Sequence, residues 1–290
     1  SKALAPIAEL AKAGAVALTD DGHPVKDAKL MRFALEYAKD FNIPIFSHAE
    51  DCDLSCGGQM HEGNMSTQLG LAGIPRLSED IAVERDIRLA EYTGGRLHIC
   101  HVSTAGAVDT IRRAKQRGVA VTAEAAPHHF TLTHDAVKDF STSTKMNPPL
   151  REDSDRLAVI EGLRDGTIEA IATDHAPHSI LEKDVPFAEA ACGIIGLQTA
   201  LPLSLQLWRQ GHMPLLDVIA RLTVGPARIL GLPYGYVAKG AIADLTLVSP
   251  DTSWELTEAS IHSKSKNTPF IGQAMQGRVE YTMVNGRITY

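Results

Sequence analysis

Several things are scarce in these 290 residues, and each absence narrows the field. The four cysteines, Cys52, Cys56, Cys100 and Cys192, form no Cys-x-x-Cys pair, which suits a reduced, cytoplasmic protein. No apolar run approaches the length of a membrane span, and the first residues do not read as a signal peptide. No basic run stands out, and a net charge of -7 with a pI near 5.9 argues against a nucleic-acid groove. A small anionic substrate would need local cations or a metal to offset that balance. Long internal repeats and low-complexity tracts are missing too. What remains, 44% hydrophobic and 22% charged with a mean hydropathy of -0.06, is an ordinary globular composition. It is enough for one large α/β domain or two smaller ones.

Short apolar runs alternate with amphipathic stretches. Ala15 to Thr19, Ile43 to His48, Arg96 to His101, Val119 to Glu124 and Glu169 to Asp174 read as strands. Asp27 to Asp40, Ser78 to Tyr92 and Ala105 to Arg117 have apolar residues at helical spacing, the first behind an Asp that can cap it. Strands alternating with helices predict a parallel sheet. Five strands suffice for an open doubly wound sheet, whereas a closed barrel needs eight. The polar residues favour the barrel, because they recur where strands end, the catalytic face of that fold. The expected fold class is therefore α/β of the (β/α)8 TIM-barrel type, with about five β/α units present. Helices dominate from Leu197 to Leu230. The tail changes character, with a strand at Ala243 to Val248 and a hairpin at Val279 to Tyr290 around Asn285–Gly286. The expected division is 1–235 for the barrel and 236–290 for a small β-sandwich portion.

The polar strand ends, in order, are Asp20/Asp21, His48, His101 and Asp174. Taken singly, each is a satisfied core or surface polar group. In succession, they are how a rigid barrel presents imidazoles and carboxylates to a metal with an open position. His98 and His101 differ by three and face opposite sides of a strand, so only one points into the mouth, and His101 is the choice. Asp174 beside His175 and His178 suits a base that shuttles a proton, although Asp-His-Ala-Pro also serves as a helix cap or Asx-turn. Lys145 to Arg151 (KMNPPLR) is a rigid turn before a helix at Glu152 to Leu163, or a clamp presenting an amide and two cations.

These segments resemble the motif set of the dihydroorotases, in the amidohydrolase superfamily. The matching pieces are Ser47 to Glu50 (SHAE), Leu97 to Thr104 (LHICHVST), Ala123 to His129 (AEAAPHH), Lys145 to Arg151 and Thr173 to His178 (TDHAPH). Glu62 to Ser66 with Leu69 to Pro75 resembles the loop after the family's fifth strand. Gly240 to Leu245, Lys264 to Phe270 and Gly277 to Val279 resemble its closing segment. The resemblance implies a (β/α)8 barrel with a flanking β-sandwich and reversible hydrolysis of dihydroorotate to N-carbamoyl-L-aspartate. It implies one or two Zn2+ ions, with His48 and His101 as the ligands of the fifth and sixth strands. Asp174 matches the eighth-strand acid that binds metal and acts as general base. At Thr19 to Gly22 (TDDG) it implies an aspartate ligand where hydantoinases use a carboxylated lysine, with Asp21 favoured over Asp20. Asn147 and His178 match substrate-contacting positions, and the backbone from Ala191 to Gly193 would meet the ring.

The family's first-strand His-x-His pair and its nearby arginine have no counterpart, since no His-x-His occurs here. The resemblance therefore leads us to expect that three strands and the N-terminal sandwich piece are lacking. It follows that the chain alone holds at most one metal tightly and turns over slowly or not at all. A homodimer and an aspartate transcarbamoylase are the macromolecular partners the resemblance allows. Two rival readings are another cyclic-amide hydrolase such as an allantoinase, and a non-catalytic subunit scaffolding aspartate transcarbamoylase.

Overall fold

The computed structural model describes residues 2–290. Its strands, in chain order, are β1 (Leu18–Thr19), β2 (Ile45–Ser47), β3 (Met60–His61), β4 (Gly73–Ile74) and β5 (Leu97–Ile99). They continue with β6 (Val121–Ala125), β7 (Ala170–Ile171), β8 (Leu245–Glu255), β9 (Ala274–Val284) and β10 (Arg287–Ile288). The main sheet is parallel and runs β1-β2-β5-β6-β7, so spatial order follows chain order. A doubly wound sheet would reverse direction at a switch point. Here every crossover advances the same way, as in a segment of a singly wound barrel.

Helix formation follows local chemistry. The helix Ala28–Lys39 starts at Asp27, whose carboxylate accepts from the amides of Lys29 (2.8 Å) and Leu30 (3.3 Å). It buries Met31, Leu35 and Ala38, one face at three-to-four spacing. Thr104 caps Ala105–Gln116 through Ala107 N, and that helix buries Ala107, Val108, Ile111 and Ala114. The sheet has two unlike faces. Ile45, Leu97, Ile99, Val121, Ala123, Ala125 and Ile171 pack on these helices and on Leu77–Thr93 and Asp153–Asp165 as one apolar core. On the other face, Phe46 stacks on His98 with centroids 4.1 Å apart, and His98 contacts Thr122 Oγ1 (2.8 Å) and Glu124 (3.1 Å). Ile99 is 1% exposed, so Ile99→Ala should leave a cavity and cost about 3 kcal/mol in urea unfolding.

Some expectations need adjusting. The strands at 15–19 and 169–174 shorten to β1 and β7, because only those residues find a ladder partner. The stretch after His48 is not a plain loop. It holds the helices Cys52–Ser55 and Asn64–Leu69 and the two-stranded parallel pair β3–β4. The C-terminal hairpin turns at Asn285 and Gly286, both at positive φ, and joins β9 to β10 with Arg287 opposite Val284. The C-terminal β unit is a single antiparallel sheet, β10-β9-β8; a second layer, which a sandwich needs, is not among the described residues. A second core, with Met146, Leu150, Ile194 and Leu203 against Leu256, Ile261, Phe270 and Met275, crosses the 235/236 boundary. No helix among the described residues is long and apolar enough to cross a membrane.

Candidate metal centre

The C-terminal ends of the parallel strands carry the chemistry. Asp21 lies two residues past β1, His48 one past β2, His101 two past β5 and Asp174 three past β7. His101 and Asp174 sit at φ +33° and +47°, a left-handed conformation that side-chain-bearing residues adopt at a cost of roughly 1 kcal/mol or more. Such strain is concentrated where a side chain must be aimed.

His48 Nδ1 and His101 Nε2 face each other at 3.0 Å. Asp21 Oδ1 lies 3.8 Å from the first and 3.7 Å from the second. Asp20 is occupied elsewhere: its two oxygens accept from the amides of His48 (2.7 Å) and Val25 (2.8 Å), bracing the turn. Behind the pair, His48 Nε2 meets Glu50 Oε2 at 2.9 Å, and Glu50 also accepts from Ser55 Oγ and from Asn147 Nδ2 (3.0 Å). Burial pushes the Glu50 carboxyl up, but its bonds from His48, Ser55 and Asn147 overcome this and hold it at about 2. Burial would lower His101, yet the facing Asp21 carboxylate and the charges of Asp174 and Glu124 push it up to about 9.

Asp174 stands apart from this trio. Its Oδ2 lies 3.4 Å from His128 Nε2. Burial raises its carboxyl, but the close approach of His128 and the charge of His101 hold it well below the usual range. The neighbouring His129 is anchored by Nε2 to Pro148 O at 2.9 Å.

Donor chemistry fits a cation. Two imidazole nitrogens and a carboxylate oxygen from Asp21, His48 and His101 lie within 4.8 Å of one another. Two ring nitrogens aimed at each other can share only one proton, whereas both lone pairs serve an ion, and this N,N,O set suits a first-row divalent metal. His98, Cys100 and Glu124 group similarly beside it, on the polar face of the sheet.

Of the remaining expected residues, His178, Ala191 and Gly193 form a second cluster. His178 Nε2 contacts Cys192 O at 2.8 Å, which ties it to the 191–193 loop. The amides of Ala191 and Gly193 are already used, donating to Glu182 O and Lys145 O, and their carbonyls accept from Lys183 Nζ and Asn267 Nδ2. Asn147, expected to meet substrate, is hydrogen-bonded to Glu50 and lies 3.3 Å from His48 Nε2. Glu50, His128 and Asn267 lie inside quoted motifs, but nothing in their spacing signals these contacts. Asn267 is the hub of this cluster: it donates to Ala176 O (2.8 Å) and Gly193 O (3.2 Å) and accepts from His178 N (3.2 Å). Asn267→Ala orphans three backbone groups and should cost about 3 kcal/mol, read as a lowered Tm. A cavity of about 670 Å³ lined by His175, Leu197, Trp254 and Tyr290 contains none of the candidate ligands.

Parallel strands with a His/His/Asp group at their carboxyl ends define a class, and residues 4–289 match it: the chain belongs to the amidohydrolase family. The fold agrees with the solved L-hydantoinase (dihydropyrimidinase) of Arthrobacter aurescens, with a TM-score of 0.87 at 24% identity over 99% of this chain and 68% of that one. The dihydroorotase of Pelobacter propionicus is 56% identical over 287 residues, 99% of this chain and 68% of its own length. That of Syntrophus aciditrophicus is 53% identical over 289 residues, 100% of this chain and again 68% of its own length. Within the family, the chain groups with the dihydroorotases.

Proposed function

We propose that the chain acts as a zinc-dependent dihydroorotase, interconverting dihydroorotate plus water with N-carbamoyl-L-aspartate. Asp21, His48 and His101 would hold the ion, with Asp174 at its open side. The observation that carries this reading is the convergence of these three donors at one rim. A zinc ion there supplies Lewis acidity and lowers the pKa of water. Asp174 is ionised at neutral pH, so its carboxylate accepts the proton of the attacking water. The water oxygen bonds to the ring amide carbon, the C–N bond breaks, and Asp174 returns the proton to the leaving nitrogen. Glu50 orients His48 and, through Asn147, links that ligand to the Lys145–Arg151 turn. His178 and Asn147 would orient the substrate. The carbonyls of Ala191 and Gly193 each keep a second lone pair to accept from a ring N–H.

On the same reading, 1–235 is a partial (β/α)8 unit and 236–290 its β flank, which shares a core with it. The four free cysteines support a cytoplasmic setting, and a second copy or an aspartate transcarbamoylase is the partner we infer. The test is turnover of dihydroorotate, allantoin and hydantoin by the zinc-loaded chain. Dihydroorotate should lead by ~100-fold or more, since a site built around ring polar groups rejects analogues that leave them unpaired. Faster hydrolysis of allantoin or hydantoin than of dihydroorotate sinks the reading.

A further inference from the structure

A second convergence of ligand-type side chains lies away from the main sheet. His61 ends β3, His134 opens the one-turn helix His134–Val137, and Glu152 precedes the helix Asp153–Asp165. One donor atom from each lies within 4.8 Å of the others, with His61 Nε2 4.0 Å from Glu152 Oε1 and the two imidazole centroids 5.6 Å apart. The His61 side chain is 2% exposed, yet its Nε2 finds no hydrogen-bond partner among the described residues, and neither does His134 Nδ1. Buried polar atoms are nearly always paired, so an unpartnered His61 Nε2 facing Glu152 Oε1, with an unpartnered His134 Nδ1 on the adjacent ring, calls for an occupant.

The surroundings keep that space open. A Cβ built on Gly63 would lie 3.5 Å from Glu152 Oε1 and 3.8 Å from His61 Nε2. The Gly63 backbone is extended (φ 167°), so its conformation does not itself demand glycine. The nearby charges are mixed, Arg76 and Arg151 against Glu79, Glu152 and Asp155, and burial with the two guanidiniums pushes His61 down to about 4, which leaves its ring neutral and able to ligate. Arg76 holds Glu152 through Oε2, leaving Oε1 toward His61. Arg151 opposes ligation, since its Nη1 lies 3.4 Å from His61 Nδ1, the nitrogen that must carry the proton if Nε2 binds a metal. That contact is long. The same Nη1 makes a shorter bond to Ile74 O at 3.1 Å, and Nε bonds Ser103 Oγ at 3.1 Å, so Arg151 stays anchored without His61.

We propose that His61, His134 and Glu152 form a second, structural site for a zinc-class divalent cation, tying the β3–β4 excursion to the start of the helix Asp153–Asp165. Two imidazoles and a carboxylate, with water completing the shell, match zinc's ligand preferences. The inference is independent of the reaction assigned to the strand-end site.

The test titrates the metal-stripped chain with zinc alone, reading stoichiometry by metal analysis after dialysis and affinity by calorimetry. His134→Gln should lose one equivalent, with affinity at that site falling at least ~100-fold, the upper end of what loss of a supporting group alone costs. Circular dichroism checks that this variant keeps the fold. Gly63→Val provides a second variant that crowds the space without removing a ligand, and it should weaken the same equivalent. The His48→Ala/His101→Ala double variant should keep this equivalent, and zinc should still raise its Tm. Unchanged stoichiometry in His134→Gln, or loss of all zinc in the double variant, overturns the proposal.

Discussion

Asp174→Asn should lower kcat for dihydroorotate by about 1,000-fold, with much less change in KM. The amide is nearly isosteric but cannot take a proton, so the step that activates water and protonates the leaving nitrogen loses its carrier. Asp174 also faces His128, a histidine 2% exposed, and the substitution removes the carboxylate beside its buried Nε2. A modest drop in Tm, corresponding to about 1–2 kcal/mol, should therefore accompany the kinetic loss. Steady-state kinetics at saturating zinc separate the two effects. A kcat within threefold of the parent would remove Asp174 from the role of base.

The second large effect belongs to His101→Ala, which should weaken zinc binding at the strand-end site by at least ~100-fold and abolish turnover at low zinc. His101 Nε2 is the donor nearest both His48 Nδ1 and Asp21 Oδ1, so its loss leaves only two ligands. The backbone does not confound the result: alanine at φ +33° bears about the same strain as histidine. Calorimetry with zinc reads the affinity. Unchanged binding would mean that the ion is held elsewhere, the His98, Cys100 and Glu124 group being the nearest alternative.

The element order was legible because local rules agreed with one another. Asp27 and Thr104 cap the helices they precede, and apolar spacing picks the buried faces. The strand-end residues stood out because polar groups closed one apolar run after another. Strand parity was a sound guide only as far as Ile99. Beyond it the chain leaves the ladder, and positive φ, not alternation, aims His101. His98 stays on the polar face of the sheet with Thr122 and Glu124. Contacts between distant positions were beyond sequence patterns: Asn147 reaches Glu50 across 97 residues, and Asn267 binds Ala176 and Gly193 across 91 and 74. The β3–β4 excursion was missed because two-residue strands carry no periodicity.

Anomalous diffraction at the zinc absorption edge, from crystals of the zinc-loaded chain, tests the central claim most directly. The account predicts a strong peak bounded by Asp21, His48 and His101 on the Asp174 side. A zinc-loaded crystal with no peak among those three residues would contradict it.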